Sequence, residues 1–280
     1  MKDRTMKDRL TKPIAMALTV VLALVALVGC GNGGEAAADG PDYEDGVYFA
    51  TYSHVDGHGW QPFLEIEVEN GEIVETNFDY AAPDGSLKSK DRGYRERMES
   101  VSGTHPARYS PELENRLMEN QAAPVEAVSG ATSSSNWFNE LASELVTKAE
   151  AGDTEDLVLP MNDTYTAEDE PDERGGWIGH VEITYEDGDI VEVEYDELQK
   201  DGREITDRKS ENEEYAERYA EINEITPAEV YEELESRLVE TEDPEEVDVV
   251  SGATITSPRF RELAKKAMDQ RVTATVPREL

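Results

Sequence analysis

Val125-Glu126-Ala127-Val128-Ser129-Gly130-Ala131-Thr132-Ser133-Ser134-Ser135 returns as Val247-Asp248-Val249-Val250-Ser251-Gly252-Ala253-Thr254-Ile255-Thr256-Ser257. Each copy runs into an apolar helical pattern at one constant offset, Phe138, Leu141, Ala142 and Leu145 after the first and Phe260, Leu263, Ala264 and Ala267 after the second. Ser257-Pro258 reads as an N-cap followed by a first helical residue, and Ser135 holds the same place in the first copy. The glycine of each copy permits a positive φ and a close backbone approach. Small side chains, hydroxyls and free backbone N–H groups thus collect at two helix mouths, where the helix dipole favours an anion such as phosphate. One copy alone would be an ordinary capped helix; two at matched positions point to a built feature.

The rest of the chain repeats around these turns. Trp60, Glu69, Gly71, Ile73, Val74, Glu75, Asp79 and Asp84-Gly85 align with Trp177, Glu186, Gly188, Ile190, Val191, Glu192, Asp196 and Asp201-Gly202. Tyr94, Arg97, Leu113, Arg116 and Leu117 align with Tyr215, Arg218, Leu234, Arg237 and Leu238. The offset grows by five residues between the strands and the Ser-Gly-Ala-Thr turn, so an inter-element loop has lengthened. Leu64, Ile66 and Val68 alternate with glutamates, the period of a half-buried strand, and Asn70-Gly71 signals a tight hairpin. Val181, Ile183 and Tyr185 lead through Asp187-Gly188 in the same way. Val47 to Tyr52 reads as an earlier strand, with a more polar counterpart near Tyr165. Helices are expected over Pro111 to Asn120, Tyr215 to Ile222, Pro227 to Val239 and after each turn. Strands first and helices later give an α+β fold of two tandem homologous domains, each a small antiparallel sheet followed by helices. The divisions are 1–29, 30–42, 43–151 and 160–270, with Gly152 to Pro160 as the link.

The pattern acidic-x-x-Ser-Gly-Ala-Thr resembles the FMN-binding domain family, which includes subunits of the sodium-pumping NADH:quinone oxidoreductase and of the related ferredoxin:NAD oxidoreductase. In that family the last threonine carries FMN through a phosphoester, placed there by a flavin transferase that uses FAD. The resemblance implies Thr132 and Thr254 as attachment residues, with Ser129, Gly130, Ala131, Ser251, Gly252 and Ala253 as the cofactor-binding turns. The second copy has the family's aspartate, Asp248; the first departs with Glu126, one methylene longer. Both repeats are covered, and the chain is most similar to two-domain, lipid-anchored flavoproteins of extracellular electron transfer in Gram-positive bacteria. The implied function is a membrane-anchored extracytoplasmic electron carrier, rather than an enzyme with its own substrate. Its donor would be a membrane quinol or flavoprotein. A non-redox surface lipoprotein that binds a ligand or a partner is the alternative.

The N-terminus agrees with an exported protein. Lys2 to Lys12 is basic, and Ile14 to Gly29 is an apolar run of signal-peptide length. Leu27-Val28-Gly29-Cys30 resembles a lipobox, which implies lipid on Cys30 and a flexible tether over residues 30–42; an uncleaved anchor is the other reading. Cys30 is the single cysteine, so a disulfide or a thiolate metal site is not expected and redox chemistry would need a bound cofactor. Net charge is −38, and removing residues 1–29, which carry five basic and two acidic side chains, leaves −41. That excess argues against nucleic acid and against anionic surfaces, and it suits high salt, where screening acts within about 3 Å at 1 M.

Other candidates carry two readings each. Trp60 and Trp177 could stack near a flavin ring or pack a core, and Tyr94 and Tyr215 are treated alike. His54, Asp56 and His58 alternate as a metal site would in a strand, but Gly57 and Gly59 favour a loop, and the second repeat shows no counterpart. His105 and His180 stand alone.

Overall fold

The computed structural model describes residues 42–172, 175–278 and 280. The signal segment, Cys30 and most of the tether lie outside them. These described residues form one compact unit.

In the first repeat β1 (Gly46–Tyr52), β2 (Gln61–Glu69) and β3 (Glu72–Ala81) form an antiparallel meander. In the second, β5 (Thr164–Glu168), β6 (Ile178–Glu186) and β7 (Asp189–Asp201) do the same. Both hairpins turn on the expected dipeptides, with φ of 55° and 79° at Asn70-Gly71 and 53° and 100° at Asp187-Gly188. Two successive positive φ values match the right-handed twist of the flanking strands. Each sheet buries one face on its helices. Tyr48, Leu64, Ile66 and Phe78 meet Leu113, Leu117, Phe138 and Leu141. Val181, Ile183 and Tyr195 meet Leu234, Leu238, Phe260 and Leu263.

The helices are α1 (Arg92–Ser102), α2 (Pro106–Asn120) and α3 (Thr132–Ala151) in the first repeat, and α4 (Glu213–Asn223), α5 (Pro227–Thr241) and α6 (Thr256–Met268) in the second. Three details differ from the sequence reading. First, α2 starts at Pro106 rather than Pro111, which lies inside it; Pro106 takes the first position, where a missing N–H costs nothing. Second, the linker is not plain loop, because β4 (Leu157–Leu159) adds to β1 in parallel and makes that sheet mixed. Third, the lengthened loop is a hairpin: β8 (Glu204–Arg208) pairs with the end of β7, where the first repeat has only an Ala81–Leu87 bridge.

The meander's outer strand is covered by helix carboxylates. Glu114 Oε1 accepts the Phe78 N–H at 2.7 Å, and its counterpart Glu235 accepts the Tyr195 N–H at 2.7 Å. Burial raises both carboxyls to about 7, against the pull of those N–H bonds. A carboxyl whose folded pKa is raised favours folding fully below its unfolded value and loses that contribution as pH rises through the folded value.

The tail after α6 crosses to the first repeat. Val272 O accepts the Val55 N–H at 2.8 Å, and Gln61 Oε1 accepts the Ala274 N–H at 2.7 Å. Ala274 and Val276 close a small apolar cluster of Phe49, Val55, Phe63 and Ala81 on the outer face of the first sheet. Arg278 reaches the buried Glu65 at 2.7 Å. Among the described residues no helix is long and apolar enough to cross a membrane.

Two outcomes follow for stability. In thermal melts, E114Q/E235Q should match the native protein near pH 4.5, exceed it increasingly up to about pH 7 and level off above that, at about 2–4 °C for each kcal/mol gained. Truncation after Arg271 should lower the melting temperature and raise binding of an apolar dye by uncovering Phe49 and Phe63.

Candidate functional site

Both Ser-Gly-Ala-Thr turns are held by the same bonds. Ser257 is not the N-cap that its hydroxyl and Pro258 suggest. It is fully buried inside α6, where its Oγ accepts the Val250 N–H at 3.1 Å and donates to Ala253 O at 2.8 Å. Ser135 does the same inside α3, to Val128 N at 3.0 Å and Ala131 O at 2.8 Å. The hydroxyl thus staples the turn to the helix it precedes. Arg237 Nη1 donates to Asp248 O at 2.7 Å, and Arg116 makes the same bond to Glu126 O. What the scaffold holds at these two acidic positions is the backbone; both residues are exposed.

Gly252 has φ +82°, and a Cβ there would lie 2.9 Å from Asn223 Cβ. Tyr219 Oη donates to Gly252 O at 2.8 Å, which ties the turn to α4. Ala253 is buried, while Ser251 and Thr254 are exposed. Thr132, Ser129 and Gly130 are likewise exposed and Ala131 is buried.

Gly252, Ala253 and Thr254 border a cavity of about 640 Å³ in the second repeat, within the range of about 300–1,000 Å³ usual for small-molecule sites. Ser251 and Asp248 are not among its lining residues. Trp177, Tyr215 and Tyr219 form an aromatic wall, with ring centroids 6.5 Å apart for the first two and 5.9 Å for the stacked tyrosines. Trp177 is buried, at 8 % exposed, as its packing reading expects, and it also borders the cavity. Facing the rings is an ionic group. Arg259 binds Asp169 through two bonds of 2.6 and 2.7 Å, Glu197 at 2.9 Å and Trp177 O at 2.8 Å. Lys209 Nζ binds Glu197 at 2.6 Å and lies 4.8 Å from the Tyr215 centroid. Burial works against the Arg259 charge, but the Asp169 bonds and the Glu197 charge outweigh it and raise its pKa.

These residues fit FMN. A planar ring system has aromatic walls and charged donors for its polar edge, and Thr254 offers its side chain at the helix mouth where a phosphate is favoured. The family model for the FMN-binding domain matches residues 176–269. A curated relative, the 15 kDa lipoprotein of Treponema pallidum (strain Nichols), is 36% identical over 115 residues, covering 41% of this chain and 82% of that protein. The chain belongs to the FMN-binding domain family. Among solved structures, a crystal structure of a Clostridium perfringens protein is 37% identical, covering 42% of this chain and 98% of that one, with TM-score 0.42. A solution structure from Clostridium thermocellum is 27% identical over 42% of this chain and 98% of that one, with TM-score 0.27.

The sequence reading of this FMN-binding domain missed the ionic group. Lys209-Ser210 repeats Lys88-Ser89 at the offset of the paired tyrosines, a signal that was there to be found. Arg259 has no such signal, because Trp137 stands at its place in the first repeat. The His54-Asp56-His58 group is a loop, and it does have a counterpart in its aspartate. Asp56 Oδ1 accepts the N–H groups of His58 and Trp60 at 2.9 and 2.8 Å, as Asp172 Oδ1 accepts those of Gly175 and Gly176 at 2.7 and 3.0 Å. Among the described residues no group of three or more His, Cys, Asp or Glu is placed to hold a metal ion. His180 is not isolated; it bonds Glu168 and Glu182 at 2.8 and 2.9 Å on the outer sheet face.

Ser257→Ala and Ser135→Ala each leave a buried N–H without its acceptor. Each should cost about 1–3 kcal/mol in denaturant unfolding.

Proposed function

We propose that the chain is a membrane-anchored, extracytoplasmic electron-transfer flavoprotein that carries FMN esterified through its phosphate to Thr254. The observation that carries this reading is the exposed threonine at the rim of an aromatic-walled cavity of about 640 Å³. Attachment is a phosphoryl transfer assisted by a flavin transferase. The Thr254 hydroxyl attacks the FMN phosphorus of FAD, an Oγ1–P bond forms and the pyrophosphate P–O bond breaks. AMP leaves with the electron pair, and the hydroxyl proton passes to solvent. Bound FMN supplies one- and two-electron chemistry, while the protein supplies orientation and electrostatics.

The chain's own residues account for the rest. Gly252 lets the turn approach α4, and Tyr219 fixes it there. Trp177 and Tyr215 exclude water from one side of the site. Lys209 and Arg259 line the site with their charges held by Glu197 and Asp169, so they offer fixed N–H donors rather than net positive charge. Anchoring through Cys30 is supported by the lipobox pattern and by the lipoprotein name of the Treponema relative. A covalent link suits a tethered carrier outside the membrane, because a free flavin there would diffuse away. The electron donor is proposed to be a membrane quinol or flavoprotein.

After co-expression with a flavin transferase, a denaturing gel should show a yellow-fluorescent band on the protein. T254A should lose that fluorescence at least tenfold. A colourless native protein would return the chain to the class of non-redox surface lipoproteins.

A further inference from the structure

The two turns are alike, but the walls beside them are not. Glu197 follows Asp196 on β7 and pairs with Gly179; Tyr80 follows Asp79 on β3 and pairs with Pro62, the matched register. Arg259 and Trp137 each stand two residues after the buried serine and one before the buried phenylalanine. The ionic chain Lys209–Glu197–Arg259 is therefore replaced by Lys88–Tyr80–Trp137.

The replacement is packed. Tyr80 is fully buried, and its ring lies 6.0 Å from Trp137 and 5.2 Å from Phe78. Trp137 also lies 6.4 Å from Tyr52. Lys88 Nζ sits 4.3 Å from the Tyr80 centroid and 4.8 Å from that of Tyr94. Burial lowers the Lys88 ammonium to about 8, against the pull of Asp56 and Asp79. The turn is also tighter. A Cβ on Gly130 would meet the Ser102 carbonyl oxygen at 2.4 Å, and Met98 stands where Tyr219 bonds the second turn. Glutamate and arginine resist close packing, because each must keep its partners or water. The Tyr80 and Trp137 rings carry no charge and pack against the apolar core of the first repeat.

We infer that the first repeat's cofactor site is occupied by its own Tyr80 and Trp137, so that the chain carries a single flavin, on Thr254. This rests on the flavin reading above and replaces the expectation of a second flavin on Thr132. The first repeat is then a mount for the loaded one. Its loop before β2 docks on the second repeat, where Tyr165 Oη donates to Val55 O at 2.5 Å and Gly57 N donates to Asp163 at 2.9 Å.

The test is the intact mass of the full chain, denatured after co-expression with a flavin transferase. The native protein and T132A should each carry one flavin, and T254A none. In the T254A background, Y80E/W137R should restore one flavin, now on Thr132, while E126D alone should not. Two flavins on the native chain, or one that survives T254A and disappears in T132A, would overturn the inference and leave the flavin reading standing. Restoration by E126D alone would also overturn it, by placing the block in the acidic residue. No flavin on any variant would remove both. Should Y80E/W137R lose its cooperative melt, the native, T132A and T254A masses still decide the count.

Discussion

Arg259 and Lys209 converge on one carboxylate, Glu197, at 2.9 and 2.6 Å. Taking such charges out of water costs several kcal/mol for each ion unless every partner stays in place. A network of this kind does not dry out and collapse as apolar side chains do. Asp169 and the Trp177 carbonyl fix the Arg259 fork from one side. Asp196, bonded to the N–H of Glu197 and of Ser210, holds the two chain segments that bring Glu197 and Lys209 together. The cavity exists because its floor is ionic. Where the same floor is tyrosine and tryptophan, the repeat packs against itself.

The second constraint is the turn. A serine hydroxyl inside the first helical turn accepts one N–H and donates to one carbonyl, and so locks the residues ahead of it into a fixed arc. This leaves the threonine two residues after the glycine exposed at the helix mouth. The arrangement suits attachment from outside, since an enzyme that adds a group to this threonine need not open the fold. Most of the strong acidity lies around this core, and only a few carboxylates are buried. The carboxylates that are buried are spent on backbone N–H groups or on cations, as with Asp196 and Glu197.

Much of this was legible in residue patterns. Period-two alternation gave both central strands, Asn70-Gly71 and Asp187-Gly188 gave the hairpins, and self-comparison gave the repeat and its turn. The gaps have physical reasons. Pro111 looked like a helix start because proline favours that place, yet Pro106 had already taken it. Ser257 looked like a cap because cap preference is local, whereas its hydroxyl reaches back seven residues to the Val250 N–H. β4 and the tail after α6 are short and owe their positions to the sheet they join, which no local pattern records. The ionic floor was hidden because comparing the repeats favours what they share, and Arg259 matters through the difference.

The most direct measurement is a crystal structure of the flavin-loaded chain. The account predicts continuous density from Thr254 Oγ1 through a phosphate to a ring system inside the cavity bordered by Trp177, Tyr219 and Arg259. Density that left Thr254 for open solvent, or a cavity filled by water beside a flavin bound elsewhere, would contradict it.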